Sequence, residues 1–413
     1  MNKLISSLTA YIVRGKFQSA FVELFHALRS NYPQWKNAEQ DMLNQDKDDL
    51  KERILDTLLS GSQLKLHKLS NSNPLSLLAA LDEYIFSRYS GIGASLEAKV
   101  KVKKNIYLIH RRTLEASCQS TFSHQTGHLQ AWLTYHWIIP EKINGFEIIL
   151  RQAPIDLCKD CHQRKELRIY VSSFPDKIKP DWDEDSNALL AHGFTDKKGR
   201  WQSVLRSFTK ASSEKADIVV FPELTICPEL RDAVVTWLLD NPEHPFMLIL
   251  PGSFHQRMDG SVYNYSELFD RLGEKVLAHK KLTTSGTKGR FENISTGKRI
   301  ELLDTSFGLI AMPICLDFCE EGVPFGEIWE HISAEWLLVP AFGNTSSLNA
   351  HWREAKKLYR SHKAVSVVSN QHIGGEDGDY GFIYNKEKAK RPPGKPDLLM
   401  TVNISSISMP KKP

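Results

Sequence analysis

The sequence predicts a two-part chain, an α+β region over residues 1–165 followed by an α/β region over residues 166–413. Three observations carry that expectation. Apolar residues recur at helical spacing through the first ninety positions, and short runs rich in β-branched and aromatic residues follow from about residue 100. From residue 166 onward, apolar strands and amphipathic helices alternate, the rhythm of sheets covered by helices.

In the first part, Phe17, Ala20, Phe21, Leu24, Phe25 and Leu28 fall on one helix face. A second helix runs from about Asp49 to Leu59, with Leu50, Ile54 and Leu58 in line. A third has Asn73 to cap, Pro74 for its first turn, and LSLLAALDEYIF behind them. KNIYLIHRRT, LQAWLTYHWII and FEIILRQA then read as strands of an antiparallel sheet within this N-terminal part.

In the second part, LRIYVSSF, DIVVFPEL and FMLILPGSF read as strands, separated by the helices WQSVLRSFTKA and ELRDAVVTWLLD. GEKVLAHKKL, RIELLD and FGLIAMPIC continue as strands. FGEIWEHISA and AHWREAKKLYRSHK are helices that alternate with the strands WLLVPAF and AVSVVSNQ. DYGFIYN and LLMTVNIS close the series. Residues 175–200 are polar and punctuated by Pro and Gly, which predicts a surface loop bordering a site; residues 386–397 read as exposed padding.

Composition narrows the classes. Of 413 residues, 41% are hydrophobic and 25% charged, which excludes collagen, coiled coil and wholesale disorder. A net charge of +4 on this length gives no global reason to expect nucleic acid. No apolar run approaches the roughly 18 residues a membrane span needs. Ser6, Ser7 and Thr9 dilute the first apolar run and Arg14 ends it, so no secretory signal or membrane partner is expected. Six irregularly spaced cysteines form no disulfide framework, and a reducing, cytoplasmic location is the expectation.

Three residues carry chemistry. Cys315 follows the apolar run FGLIAMPI and precedes the polar LDFCEEG, a strand's carboxyl end, where α/β proteins place reactive groups. A thiol titrates near about 8.5 and needs a base or a nearby cation to become a nucleophile. Glu223 ends VVFPE, where a carboxylate beside an apolar strand is costly without a partner. VLAHKKL offers Lys280 and Lys281, of which strand alternation admits only one to a given site. Taken singly, each residue reads more readily as packing or as a solvated end than as chemistry. Together they supply base, cation and nucleophile for acyl transfer.

Their order and flanks resemble the carbon–nitrogen hydrolase (nitrilase) superfamily: FPEL at 221–224, HKKL at 279–282 and ICLDF at 314–318, within similarity from about residue 166 to the C-terminus. The resemblance implies an αββα sandwich that pairs into a homodimer or higher homo-oligomer, and a Glu–Lys–Cys set made of Glu223, Lys281 (Lys280 as the alternative) and Cys315. It implies a second glutamate between lysine and cysteine, a place Glu292 occupies. His279 stands where the family often has tyrosine. The implied reaction is hydrolysis of a small-molecule amide, less often a nitrile, through a Cys315 thioester. Lys281 and the backbone N–H of Leu316 hold the oxyanion, and no cofactor takes part. After C-x-D the family continues with a short run ending in Phe-Pro-Glu. This chain reads FCEEGVPFGEIW, so specificity does not carry over. In the enzyme reading, residues 1–165 sense or gate. The alternative is a catalytically weak scaffold or effector, in a regulatory or phage-defence protein whose N-terminal part binds a macromolecule.

Two lesser constellations remain. Cys158 and Cys161 in CKDCH, with His124 and His128, make a low-ranking zinc set near Cys118 and His162. KVKVKK at 99–104, with Arg111, Arg112 and Tyr107, is a basic patch whose nucleic-acid reading ranks below a solvated face.

Overall fold

The computed structural model describes residues 2–29, 44–60, 74–89, 98–101, 105–111, 129, 133–154, 157, 164–172, 174, 180–182, 188–287, 290–319, 328–372, 380–385 and 397–404. These divide into two compact units, one up to Glu141 and one from Lys142.

The first unit has helices Asn2–Val13, Phe17–Arg29, Asn44–Leu59 and Pro74–Tyr89, and an antiparallel sheet of Ala98–Lys101, Asn105–His110 and His136–Pro140. The stripe read from Phe17 to Leu28 is its core. Phe21, Leu24 and Phe25 pack with Leu78, Leu81 and Ile85 of the fourth helix and with Ile106, Leu108 and Ile138 of the sheet. Pro74 opens its helix, where a missing N–H costs nothing.

The boundary expected near residue 165 falls instead at 141/142. Phe146–Gln152, read from sequence as a strand of the N-terminal sheet, pairs in parallel with Arg299–Thr305 of the second unit. Its composition suits either sheet; only a partner distant in sequence decides.

The second unit is an αββα sandwich. Its first sheet runs Ser253–Met258, Ser261–Asp270, Leu248–Leu250, Ile218–Val220, Glu166–Ser172, Asp397–Asn403, with Lys275–Lys280 also paired to Ser261–Asp270. The second runs Gly381–Tyr384, Val365–His372, Trp336–Gly343, Gly308–Ala311, Arg299–Thr305, Phe146–Gln152, Lys142–Ile143. Between them lies one apolar layer, with Ile169, Val171, Ile218, Val220 and Leu250 packed against Ile310, Trp336, Leu338, Val367 and Ile383. Val219, Phe221 and Ile249 point the other way, into Val204, Phe208, Val234 and Leu238 of helices Lys197–Ser213 and Pro228–Asp240. Burial on both faces is why these parallel strands read as unbroken apolar runs. Helix Thr345–His362 covers the second sheet's outer face, where Trp352 and Tyr359 meet Phe382 and Tyr384 edge-on.

Two departures from the sequence expectation bear on the site. Ser261–Asp270, which was not predicted, is the longest strand and forms a hairpin with Ser253–Met258 across Asp259 and Gly260, both at positive φ. Asp-Gly between strands is the signature of that turn. The loop expected over 175–200 contains strand pieces, and its helix begins at Lys197, where Asp196 caps by accepting from the Gly199 N–H at 2.7 Å. Ala188–Leu189 in that stretch pairs with Arg290–Glu292. The loop therefore holds the strand that carries Glu292.

Candidate active site

Strand ends deliver the functional side chains. Glu223 lies three residues past Val220, Cys315 four residues past Ala311, and Lys281 directly after Lys280. The neighbouring strand Trp336–Gly343 fixes the first two. Its Pro340 carbonyl accepts from the Cys315 N–H at 2.9 Å, and its Ala341 carbonyl accepts from the Glu223 N–H at 3.2 Å.

Backbone conformation sharpens both turns. Cys315 has φ 49° and Leu224, after Glu223, has φ 54°, the left-handed region that side chains with a Cβ avoid. Such outliers persist where surroundings over-determine them, commonly at functional sites. Gly252, at φ 92°, permits the Glu223 turn to sit where it does: a Cβ there would fall 2.1 Å from the Pro222 carbonyl oxygen.

Lys281 is fully buried and its Nζ donates to Glu223 Oε1 at 2.7 Å, to Glu292 Oε2 at 2.8 Å and to Ser285 Oγ at 3.3 Å. Lys280 turns outward, its Nζ 3.8 Å from the centre of the Tyr263 ring. The pair left open by strand alternation thus divides, with Lys281 inside. Glu292 lies in the cluster through both oxygens: Oε1 accepts from His255 Nε2 at 2.9 Å and Asn264 Nδ2 at 2.7 Å, and Oε2 also accepts from Ser285 Oγ at 2.8 Å. Asn264 gives its other amide proton to Glu223 Oε1 at 2.8 Å, so one amide spans the two carboxylates. His255 Nδ1 accepts from the Ala191 N–H at 2.7 Å, which leaves Nε2 as the protonated nitrogen facing Glu292.

Asp317 ties lysine to cysteine. It receives the backbone N–H groups of Leu282 and Thr283 and the Nε2 of His279, all near 3.0 Å, while sitting two residues after Cys315. The Lys281 loop and the Cys315 turn are therefore pinned to one buried carboxylate. Leu316 opens the short helix Leu316–Cys319, so its N–H lacks an intrahelical acceptor.

Two carboxylates and one ammonium cannot be treated alike. Burial disfavours charge on Glu292, but Lys281 and the His255 hydrogen bond outweigh it and hold that carboxyl well below its usual range. Burial pushes Glu223 up, Lys281 only partly opposes this, and the Glu292 charge adds to the rise. Burial also works against Lys281, yet Glu223 and Glu292 keep it firmly cationic. The Cys315 thiol is pushed up by burial and by Glu223, to which it hydrogen-bonds; Lys281 and the Phe342 N–H work in the opposite direction. The two carboxyls are thus driven apart, Glu292 held ionised and Glu223 pushed toward its protonated form.

The structure thus brings together Glu223, Lys281, Glu292 and Cys315, and sets Lys280 aside. Sequence reasoning missed His255, Asn264 and the tether role of Asp317. Asn264 lies in the strand that was not predicted, and the turn that would have exposed that strand is Asp259-Gly260. Cys158, Cys161, His124 and His128, the zinc candidates, lie outside the described residues, as do Arg112 and the side chains of Lys99 and Lys101 in the basic patch. Among the described residues no group of three His, Cys, Asp or Glu side chains is arranged to hold a metal ion, and no helix is long and apolar enough to cross a membrane.

The family model for carbon–nitrogen hydrolase matches residues 188–320, a segment containing all four clustered residues. Solved structures similar to this chain include Nit3 of Saccharomyces cerevisiae, a member of branch 10 of the nitrilase superfamily (15% identity, TM-score 0.42, covering 58% of this chain and 90% of that one). An amidase from Nesterenkonia sp. matches at 16% identity and TM-score 0.42, over 58% of this chain and 92% of that one. The glutamine-dependent NAD+ synthetase of Acinetobacter baumannii matches at 17% and 0.42, over 58% of this chain but 45% of its own length. No curated protein matches the chain.

Proposed function

We propose, from the premise that residues 188–320 are carbon–nitrogen hydrolase sequence, that this chain hydrolyses a non-peptide C–N bond through a Cys315 thioester. The substrate class is a small amide, with nitrile second. One observation carries the reading: two buried carboxylates share the Lys281 ammonium, and Glu223, the one pushed upward, is also the carboxylate whose charge raises the Cys315 thiol.

Glu223 takes the proton of Cys315 as the sulfur attacks the carbonyl carbon. The raised thiol makes an ion pair unfavourable in the resting state, so proton transfer accompanies attack. Lys281 and the Leu316 N–H face the oxygen on which charge develops. Collapse expels the amine, which takes the proton held by Glu223. Water then enters, gives its proton to the same carboxylate and cleaves the thioester, releasing acid and free thiol. Glu292 stays ionised throughout and keeps Lys281 charged and aimed. His255 and Asn264 hold Glu292 in turn.

A thiol-reactive probe tests this. It labels Cys315 in the native chain, with intact-mass and peptide readout, and Glu223→Gln lowers the rate by about 10²-fold or more, the usual weight of a general base. Labelling indifferent to Glu223→Gln would sink the proposal.

A further inference from the structure

Among the buried titratable groups that the machinery above does not use, one touches the nucleophile's own backbone. His351, in helix Thr345–His362, sits under the nucleophile's backbone. Its Nε2 is 3.1 Å from the Cys315 carbonyl oxygen and its Nδ1 is 2.6 Å from the Ser347 carbonyl oxygen. A carbonyl oxygen only accepts, so each ring nitrogen must donate, and a ring that donates twice is an imidazolium. The sulfur of Cys319 lies 3.7 and 3.9 Å from the two nitrogens, almost equidistant, and is the titratable group facing the ring from the short helix Leu316–Cys319.

Other charged neighbours are engaged elsewhere. Glu330, on the helix Ile328–Ile332, and Glu354, on the ring's own helix, lie 3.2 and 3.8 Å from Lys357. The strand stretches 336–343, 365–371 and 381–384 packed against the helix bring no carboxylate or cation. Burial works against a charged ring, yet Cys319 and the two carbonyls outweigh it and raise His351 above its ordinary value.

We propose that His351 is the positioning residue of the nucleophile: as an imidazolium it grips the Cys315 carbonyl, holds the left-handed turn that aims the sulfur, and sets a positive charge against the backbone of that same residue. This rests on the reading of Cys315 as nucleophile. It gives the helix Thr345–His362, outside the matched family segment, a part in the chemistry. A fixed cation near the sulfur lowers the cost of the developing thiolate without contacting substrate.

The test is iodoacetamide labelling of Cys315 across pH, in the native chain, in Glu223→Gln and in His351→Gln. Glutamine retains a donor for the Cys315 carbonyl but cannot be charged. The expected result is a rate about tenfold lower at neutral pH and a profile displaced upward by about one pH unit, the effect of one lost nearby charge. A profile that keeps its midpoint while only thermal stability falls means His351 is merely structural, and overturns the proposal. If the native chain labels without regard to Glu223, the nucleophile reading fails and this inference falls with it. If labelling depends on Glu223 but His351→Gln behaves as native, only this inference falls. Should His351→Gln not fold, nitrogen-15 NMR of the native chain decides: both ring nitrogens stay protonated above about pH 7, past the ordinary histidine value, whereas a neutral ring there overturns the proposal.

Discussion

Each unit of this protein buries a charged cluster, and the two are built to opposite ends. In the first unit, Asp82 is fully buried and satisfied. It accepts from the N–H groups of Thr134 and Tyr135 at 2.6 and 2.8 Å, and Nδ1 of His136 lies 2.7 Å from its other oxygen. One carboxylate meets three partners and fastens helix Pro74–Tyr89 to the chain leading into His136–Pro140. In the second unit two carboxylates meet one ammonium, and Glu223 is the one whose charge is disfavoured, by burial first and by the Glu292 charge as well. Burial of charge therefore does not by itself mark a reactive site. An imbalance that the fold leaves uncorrected, beside a buried thiol, is what supports the reading proposed above.

Breaking the centre of the second cluster gives the largest effect. Lys281→Met leaves Glu223 and Glu292 facing each other in a buried site, and we expect a loss of about 3–5 kcal/mol in unfolding free energy by denaturant titration. Removing the first cluster costs somewhat less: Asp82→Ala strands two backbone donors and His136, for about 2–4 kcal/mol, while Cys315 labelling in the folded fraction stays at its native rate. A change in labelling there would erase the distinction between the clusters. The smallest effect is the most discriminating. Glu223 titrates above its ordinary value, so its stabilising contribution is present below the unfolded carboxyl pKa of about 4.3 and is lost as pH rises through the folded one. Glu223→Gln has no such loss. Its melting temperature relative to native should therefore increase from pH 4 to pH 7.5, even as labelling collapses. Glu292→Gln should instead trail native by a constant margin down to about pH 4.3 and close the gap only below it, since a carboxyl held low contributes stability that is lost as pH falls from its unfolded pKa of about 4.3 through its folded value.

Much of this was legible in the sequence because strand ends announce themselves. Glu223 and Cys315 each close an apolar run, and the helices that cover the sheets follow in order. Alternation reduced the lysine question to one residue or its neighbour. It went no further, because which of two faces looks inward depends on pairing with Ser261–Asp270 and on Tyr263, which receives Lys280. Phe146–Gln152 was assigned to the wrong sheet because its partner Arg299–Thr305 is about 150 residues away and leaves no local trace. His255 and Asn264 were missed for a related reason. Each is an ordinary polar residue in a strand, and its meaning arises only when two distant carboxylates converge on it.

The adjacent carbonyls of Pro340 and Ala341 carry a last implication. Because consecutive peptide units of a single strand grip both the Cys315 turn and the Glu223 turn, the spacing between them is inherited from covalent geometry. Peripheral segments can lengthen, shorten or change character without disturbing that baseline. On the proposed mechanism, change in what the rim accepts is thereby uncoupled from change in how Cys315 reacts.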